Sequence, residues 1–189
     1  LGIYNLILAI KSEKKLYWIL LPIFFGFAFL SKQVPSSYVI ICAILILSLF
    51  SILQRKFYWV KYSFFSATLF ILLLLIFGKI QGINISSFLE QYIFYPQTIG
   101  KERFENLNFD FRGTIDHFKF IYLAFLPLFY VNLLKIFSDR NYFKQKNFYY
   151  FLCLLLLTFS LIFHQLLTRN QTFIFFLIPI LMAFSHISL

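Results

Sequence analysis

The chain has 189 residues, of which 61% are apolar and only 13% are charged. A soluble domain has about 25% charged and about 45–50% apolar residues, so this composition excludes an ordinary soluble domain. The net charge is +10, but the sequence shows no basic face on a soluble domain, which argues against nucleic acid as a partner. A codon bias toward A and T explains most of the excess of phenylalanine, with an aromatic site as the alternative.

Apolar runs follow one another along the chain. Residues 1–10 read as the end of one span, and the later runs cover roughly 16–31, 37–54, 57–78, 119–137, 148–167 and 172–188. A span needs about 20 residues, with about 17–25 tolerated, so the first and the last of these six runs are short. Because lipid cannot satisfy backbone polar groups and no strand-like alternation is visible, we expect helices. The prediction is an all-α, polytopic transmembrane helix bundle forming a single membrane domain over residues 1–189, with about six full spans and a partial first one.

The start of the chain resembles the end of a membrane span. LGIYNLILAI begins without Met and lacks the basic region and the cleavage site of a signal peptide. We therefore expect a fragment, with further spans and an external loop before Leu1.

Cys42 and Cys153 lie in apolar runs, where cysteine is usually a small hydrophobic residue, and no metal-ligand spacing is present. No metal site and no cofactor are predicted.

The charges alternate from loop to loop. KSEKK and QRKFYWVK carry net charges of +2 and +3, and SDRNYFKQKNF together with the preceding Lys135 carries +3. By contrast, SKQ, residues 79–119 and TRNQ carry +1, 0 and +1. Short loops rich in Lys and Arg stay in the cytoplasm. This pattern predicts that the three loops with the larger positive charge are cytoplasmic. It also predicts that SKQVPSS, the extracytoplasmic loop at 79–118 and TRNQ face outward. Anionic lipids are the expected partners of the cytoplasmic excess.

The first outward loop, SKQVPSS, interrupts a long apolar stretch with Lys32 and Gln33. Pro35 restricts Val34 to extended geometry, and Ser36 can cap the helix that follows. A lysine beside a helix N-terminus is suited to an anion, and at the outer face this anion would be a lipid phosphate. The alternative is a lysine that extends to the membrane interface without binding anything.

The last outward turn, HQLLTRNQTF, contains His164, Arg169, Asn170 and Gln171 within a few residues of one another. Polar groups inside a membrane are costly and usually face a cavity or a partner. A substrate-binding turn and a simple hairpin whose arginine extends to the interface stay equally open. His186 reads as a core or interface residue.

The long loop is the third outward feature, since a structureless stretch of this length is usually functional. SFLEQYIFY, closed by Pro96, predicts a short interfacial helix over 86–95, and we expect 100–114 to be less regular. Arg112 and His117 precede the re-entering span and could contact a polar headgroup. Ordinary loop residues are the alternative for each.

FFGFAFLSKQVPSSYVIICAILILSLF, preceded by the basic KSEKK loop, resembles a recurring stretch of the type-C glycosyltransferase superfamily. The similar branch contains the protein O-mannosyltransferases and the aminoarabinose transferase, where the run reads roughly Gly-Leu-Ala-Phe-Leu-Thr-Lys. Here Gly26, Ala28–Leu30, Ser31 and Lys32 occupy that pattern. HQLLTRNQTFIFFLIPILMAFSH looks like late spans of bacterial members. The resemblance covers about 40 residues well, and the rest of the chain is similar in topology only.

The resemblance implies a membrane glycosyltransferase that moves a sugar from a polyprenyl-phosphate donor to a glycan, lipid or protein acceptor. It places the active site on the periplasmic or exterior face of a bacterial inner membrane and implies an acidic catalytic residue before Leu1, so no catalytic residue is assigned here. The substrate-binding candidates are Lys32, Gln33, Arg112, His117, His164, Arg169, Asn170 and Gln171. The alternative functions are a cell-envelope polysaccharide polymerase or ligase, or a flippase for lipid-linked sugars. Spans nearly free of charge argue against the flippase.

Overall fold

The computed structural model describes residues 1–105, 107, 109–168 and 174–188. The α-helices are α1 (Gly2–Ser12), α2 (Lys15–Ser31), α3 (Gln33–Gln54), α4 (Tyr58–Ile80), α5 (Ile85–Leu89), α6 (Tyr95–Glu105), α7 (Lys119–Ser138), α8 (Lys146–Thr168) and α9 (Leu177–Ser188). Short π-helices cover Glu90–Phe94 and Arg112–Asp116, and a 3₁₀ turn covers Tyr142–Lys144. Within the described ranges there is no strand, so the all-α prediction is confirmed.

Four helices, α3, α4, α7 and α8, are long and apolar enough to cross a membrane. This finding supports a multi-pass membrane protein, because a helix of about 20 apolar residues matches the hydrocarbon thickness. The helices α2 and α9 are apolar but shorter, with 17 and 12 residues. They correspond to the two runs whose length is marginal in the sequence.

The described chain divides into two compact units. The first unit contains Leu1–Ser37 and Phe57–Leu107, and the second contains Tyr38–Lys56 and Asn108–Leu189. The helix α3 begins in the first unit and continues in the second.

In the first unit, α4 packs along α2 through its serines. Pro22 lies inside α2 and has no N–H, so the carbonyl of Trp18, four residues earlier, loses its helical donor. The hydroxyl of Ser63 on α4 donates to this carbonyl oxygen at 3.0 Å. One turn further along α4, Ser66 donates to the carbonyl oxygen of Ile19 at 2.6 Å. A neighbouring helix thus supplies the donor that the proline removes, as membrane proteins commonly require.

Gly26 sets how closely α2 and α4 approach. A Cβ atom at this position would clash with the ring of Phe70, which packs edge-on against Phe27 with ring centroids 5.1 Å apart. The contacts progress from Trp18 with Ser63 to Phe27 with Phe70, so α2 and α4 run parallel within this unit. On the other side of α2, the Asn5 amide of α1 donates to the Tyr17 carbonyl at 2.7 Å.

In the second unit, α3 and α8 run antiparallel. Tyr38 packs edge-on against Phe163, Cys42 lies 3.2 Å from Ser160 between sulfur and hydroxyl oxygen, and Phe50 packs against Tyr149. At the far end the side-chain amide of Gln54 donates to the carbonyl of Lys144. These contacts continue over most of the length of both helices.

The helices α7 and α9 run parallel in the same unit. His117 lies against Phe175 just before the two helices, and Ser185 donates to the carbonyl oxygen of Ala124 at 3.1 Å further along. At the end of α7, the buried Tyr142 hydroxyl donates to the side-chain oxygen of the buried Asn132. The amide nitrogen of Asn132 in turn donates to the Leu128 carbonyl at 2.7 Å, which fixes the start of the α7–α8 connection.

The helix directions agree with the alternating loops expected from the charges. In the first unit, the Tyr58 hydroxyl donates to the carboxylate of Glu13, so KSEKK and the start of α4 share a face. In the second unit, the contact of Gln54 with Lys144 puts the ends of two basic loops on one face. These contacts establish which loop ends lie together within each unit.

The long loop is more helical than the sequence indicated. The helix expected over 86–95 is present, but helical structure continues from Ile85 through the π turn to the end of α6 at Glu105. The expectation that 100–114 are less regular is therefore wrong for 100–105. Phe88 and Tyr92 stack at 4.7 Å between ring centroids, one turn apart on the helix.

Candidate functional site

Lys32 lies at the end of α2, where the chain leaves helical geometry. Its backbone is extended, with φ −155° and ψ 108°, and its N–H donates to the Ala28 carbonyl at 3.0 Å. The side chain is exposed, and Gln33 beside it is half-buried. An apolar helix that ends in an exposed lysine presents one cation at the level of the helix terminus.

The break after Lys32 has the predicted form. Val34 is extended, with φ −114° and ψ 123°, as expected for a residue before proline. Ser36, which was expected to cap the following helix, instead donates its hydroxyl to the Ala28 carbonyl at 2.9 Å. The Ala28 carbonyl therefore accepts from both Lys32 and Ser36. This shared acceptor folds the connection back onto the end of α2.

His164 and Gln165 lie in the last turn and a half of α8. Both side chains are buried, with 3% and 1% of their surface exposed. The carbonyl of His164 accepts the hydroxyl of Thr168 at 2.9 Å, and the side-chain oxygen of Gln165 has no hydrogen-bond partner among the described residues. A buried acceptor without a donor is costly, so this helix end is a place where a polar group would be stabilised.

The segment before α7 is held by local hydrogen bonds. The Asp110 carboxylate accepts from the Gly113 N–H at 3.2 Å, and a side chain at Gly113 would meet that carboxylate. His117 donates its backbone N–H to the Arg112 carbonyl at 3.0 Å. The Lys119 ammonium pairs with Asp116 at 3.0 Å, with both side chains half-exposed.

The His117 ring joins this segment to the chain that enters α9. The ring lies edge-on to Phe118 and tilted over Phe175, with centroids 4.9 and 5.9 Å apart. Phe175 follows HQLLTRNQTF by two residues, so His117 lies close to the chain that enters α9. Sequence reasoning did not include Phe175, because only spatial proximity to His117 distinguishes it from many other phenylalanines.

Arg169, Asn170 and Gln171 lie outside the described residues. Lys32 and Gln33 belong to the first unit, whereas Arg112, His117 and His164 belong to the second.

The described part of the chain has no buried Lys or Arg and no cluster of three metal-ligating side chains. Its buried polar residues are Asn, Gln, Ser, Thr and His. Comparison with protein-family models, with curated proteins and with solved structures finds no match to this chain.

Proposed function

We propose that this chain forms part of a membrane glycosyltransferase, which moves a sugar from a polyprenyl-phosphate donor to an acceptor at the extracytoplasmic face. The observation that carries the proposal is Lys32, an exposed cation at the point where an apolar helix ends and the chain breaks at Val34. The same residues form the motif that resembles the type-C superfamily.

The chemistry requires a cation of this kind. The bond between the sugar and the donor phosphate breaks, the acceptor oxygen forms the new glycosidic bond, and polyprenyl phosphate leaves. A fixed cation stabilises the charge that develops on the leaving phosphate. In this proposal Lys32 takes this role, and the acceptor proton passes to a general base for which this chain offers no assigned residue.

The remaining candidates would bind polar parts of the substrates. Gln33, Asn170 and Gln171 can donate and accept hydrogen bonds, as sugar hydroxyls require. His164, Arg112 and His117 supply further polar groups near the end of α8 and the start of α7. The absence of buried cations among the described residues argues against transport of the charged lipid through these helices.

The orientation belongs to the same proposal. The loops with the larger Lys and Arg counts would lie in the cytoplasm, with α2 and α9 completing six spans. Lys32 would then be at the outer membrane face, and the enzyme would lie in a bacterial inner membrane facing the periplasm or exterior.

Substitution of Lys32 tests the function. Membranes containing the protein would be given a polyprenyl-phosphate sugar labelled in the sugar, and transfer to acceptor would be measured. Loss of a charged contact in the transition state should slow Lys32→Ala by roughly 10²–10³-fold. Lys32→Arg should keep part of the activity, because the charge survives while its geometry changes.

Lys101→Ala is the matched control, because Lys101 is an exposed lysine of α6 in the same unit. It should transfer sugar at the native rate. Near-native transfer by Lys32→Ala at equal protein amount would leave Lys32 as a surface lysine at the interface and would overturn its role.

A further inference from the structure

A group of basic and aromatic residues lies at the opposite end of α2 from Lys32. We call it the basic–aromatic cluster, and its members are Lys11, Lys14, Lys15, Lys61, Tyr58, Tyr62, Trp18 and Trp59. They come from the last turn of α1, the α1–α2 turn and the first turns of α2 and α4, all within the first unit.

Direct contacts hold the cluster together. Glu13 closes α1 in the left-handed conformation, with φ 56°. Its carboxylate accepts the hydroxyl of Tyr58 at 2.9 Å, and the ammonium of Lys15 lies 5.5 Å from the centre of the Tyr62 ring. Because Tyr58, Lys61 and Tyr62 are spaced i, i+3 and i+4, they share one face of α4.

Two tryptophans form the base of the cluster. Trp18 is fully buried, and its ring contacts Tyr58 edge-on at 6.3 Å and Trp59 at 5.9 Å between centroids. These contacts fix the height of the lysines relative to the ends of two apolar helices. The chain has only two tryptophans, and both are here.

The cluster has a net positive charge. Four exposed lysines stand against one carboxylate, that of Glu13, which is held by Tyr58. Neither α2 nor α4 has an acidic residue in its first turn. Like charges held together repel, so an anion placed among them would be stabilised.

The surroundings identify the anion. Tyrosine and tryptophan at the end of a membrane-spanning helix mark the headgroup level, and lysines at that level attract anionic lipids. We propose that the basic–aromatic cluster binds the headgroup of an anionic glycerophospholipid, with the lysines around the phosphate and the tyrosine rings against the glycerol region. This site does not depend on the glycosyltransferase assignment.

Tryptophan quenching measures this binding directly. The protein in non-ionic detergent would be titrated with phosphatidylglycerol brominated on its acyl chains, and in parallel with brominated phosphatidylcholine. Because both tryptophans lie in the cluster, phosphatidylglycerol should quench at lower concentration. Equal quenching curves for the two lipids would overturn the proposal.

Lysine substitution identifies the groups responsible. Each lysine near an anionic headgroup contributes about a fivefold gain in affinity. A triple variant with Lys14→Gln, Lys15→Gln and Lys61→Gln should therefore bind phosphatidylglycerol about 100-fold more weakly. Phosphatidylcholine quenching should stay unchanged, which also shows that the cluster remains folded. The control is Lys101→Gln, in α6 outside the cluster, which should bind like the native protein.

Two outcomes contradict the proposal at this stage. Undiminished phosphatidylglycerol affinity in the triple variant would remove the lysines as ligands. Displacement of the lipid by an equal concentration of soluble glycerol 3-phosphate would show that the site takes a free phosphate instead of a membrane lipid.

Discussion

Ser63, which donates to the carbonyl that Pro22 leaves without a helical donor, gives the sharpest test of the packing of α4 on α2. Ser63→Ala removes the donor to the Trp18 carbonyl, which has lost its own helical N–H to the proline. A typical hydrogen bond contributes about 0.5–1.5 kcal/mol, and between membrane helices the average is about 0.6 with a maximum near 1.7. Because Pro22 removes the helical donor to this carbonyl, we expect the upper end, about 1–2 kcal/mol.

Pro22→Ala should remove this sensitivity. Alanine restores an N–H that can donate to the Trp18 carbonyl, so Ser63→Ala in that background should cost about 0.5 kcal/mol or less. The coupling between the two positions is then about 1 kcal/mol. The assay is reversible unfolding in mixed micelles, applied to both single variants and the double variant as a double-mutant cycle.

Ser66 supplies the matched control for this cycle. It donates from the same helix to the neighbouring Ile19 carbonyl, whose helical donor is Ile23 and not a proline. Ser66→Ala should therefore show almost no coupling to Pro22→Ala. Equal coupling at both serines would mean that the proline only shifts the helix, and the reasoning about the orphaned carbonyl would fail.

Four further predictions concern other parts of the chain. Tyr142→Phe should destabilise the protein by about 1–3 kcal/mol, measured by unfolding against the exposed control Tyr130→Phe, because Asn132 loses its donor. Burial raises the pKa of Tyr142 above its ordinary value of 10.0, so the neutral hydroxyl is favoured in the folded state. The free energy of unfolding should therefore fall as the pH rises above about 10, and this loss should be smaller in the phenylalanine variant. Gly26→Ala should lower the free energy of unfolding by about 1–3 kcal/mol, because the added Cβ clashes with Phe70. The control Gly78→Ala, whose nearest contact is at 3.9 Å, should be neutral or stabilising. Equal effects of the two variants would contradict the close approach of α2 and α4 at Gly26. In a background without Cys42 and Cys153, cysteine at Gln97 should react with an impermeant thiol reagent added outside cells and cysteine at Ser138 should not, and the reverse pattern would invert the topology.

Hydropathy alone located most helices. The runs at 119–137 and 148–167 became Lys119–Ser138 and Lys146–Thr168, because a helix in lipid begins and ends where apolar residues do. Pro35 likewise predicted the extended Val34. The last run was less accurate, since α9 begins at Leu177, five residues after the expected start.

The pairing of helices could not be predicted in the same way. Ser63 is one of several serines in apolar runs, and only its neighbour Trp18 distinguishes it. The bond of Ser36 to Ala28 depends on how the chain turns after Lys32, which spacing does not specify. The continuation of helix to Glu105 was missed because α6 is polar and has no apolar periodicity strong enough to announce it.

The antiparallel contacts of α3 with α8 can form only after both helices have been synthesised. Gln54 and Lys144 are 90 residues apart, and Cys42 and Ser160 are 118 apart. At roughly 5–20 residues per second, the ribosome needs about 5–25 s to produce the partner after α3 has emerged. During this interval the Ser51 hydroxyl can donate to the Leu47 carbonyl of its own helix, as it does at 2.7 Å in the folded chain. The hydroxyl of Ser51 is therefore satisfied in lipid before α8 has been synthesised.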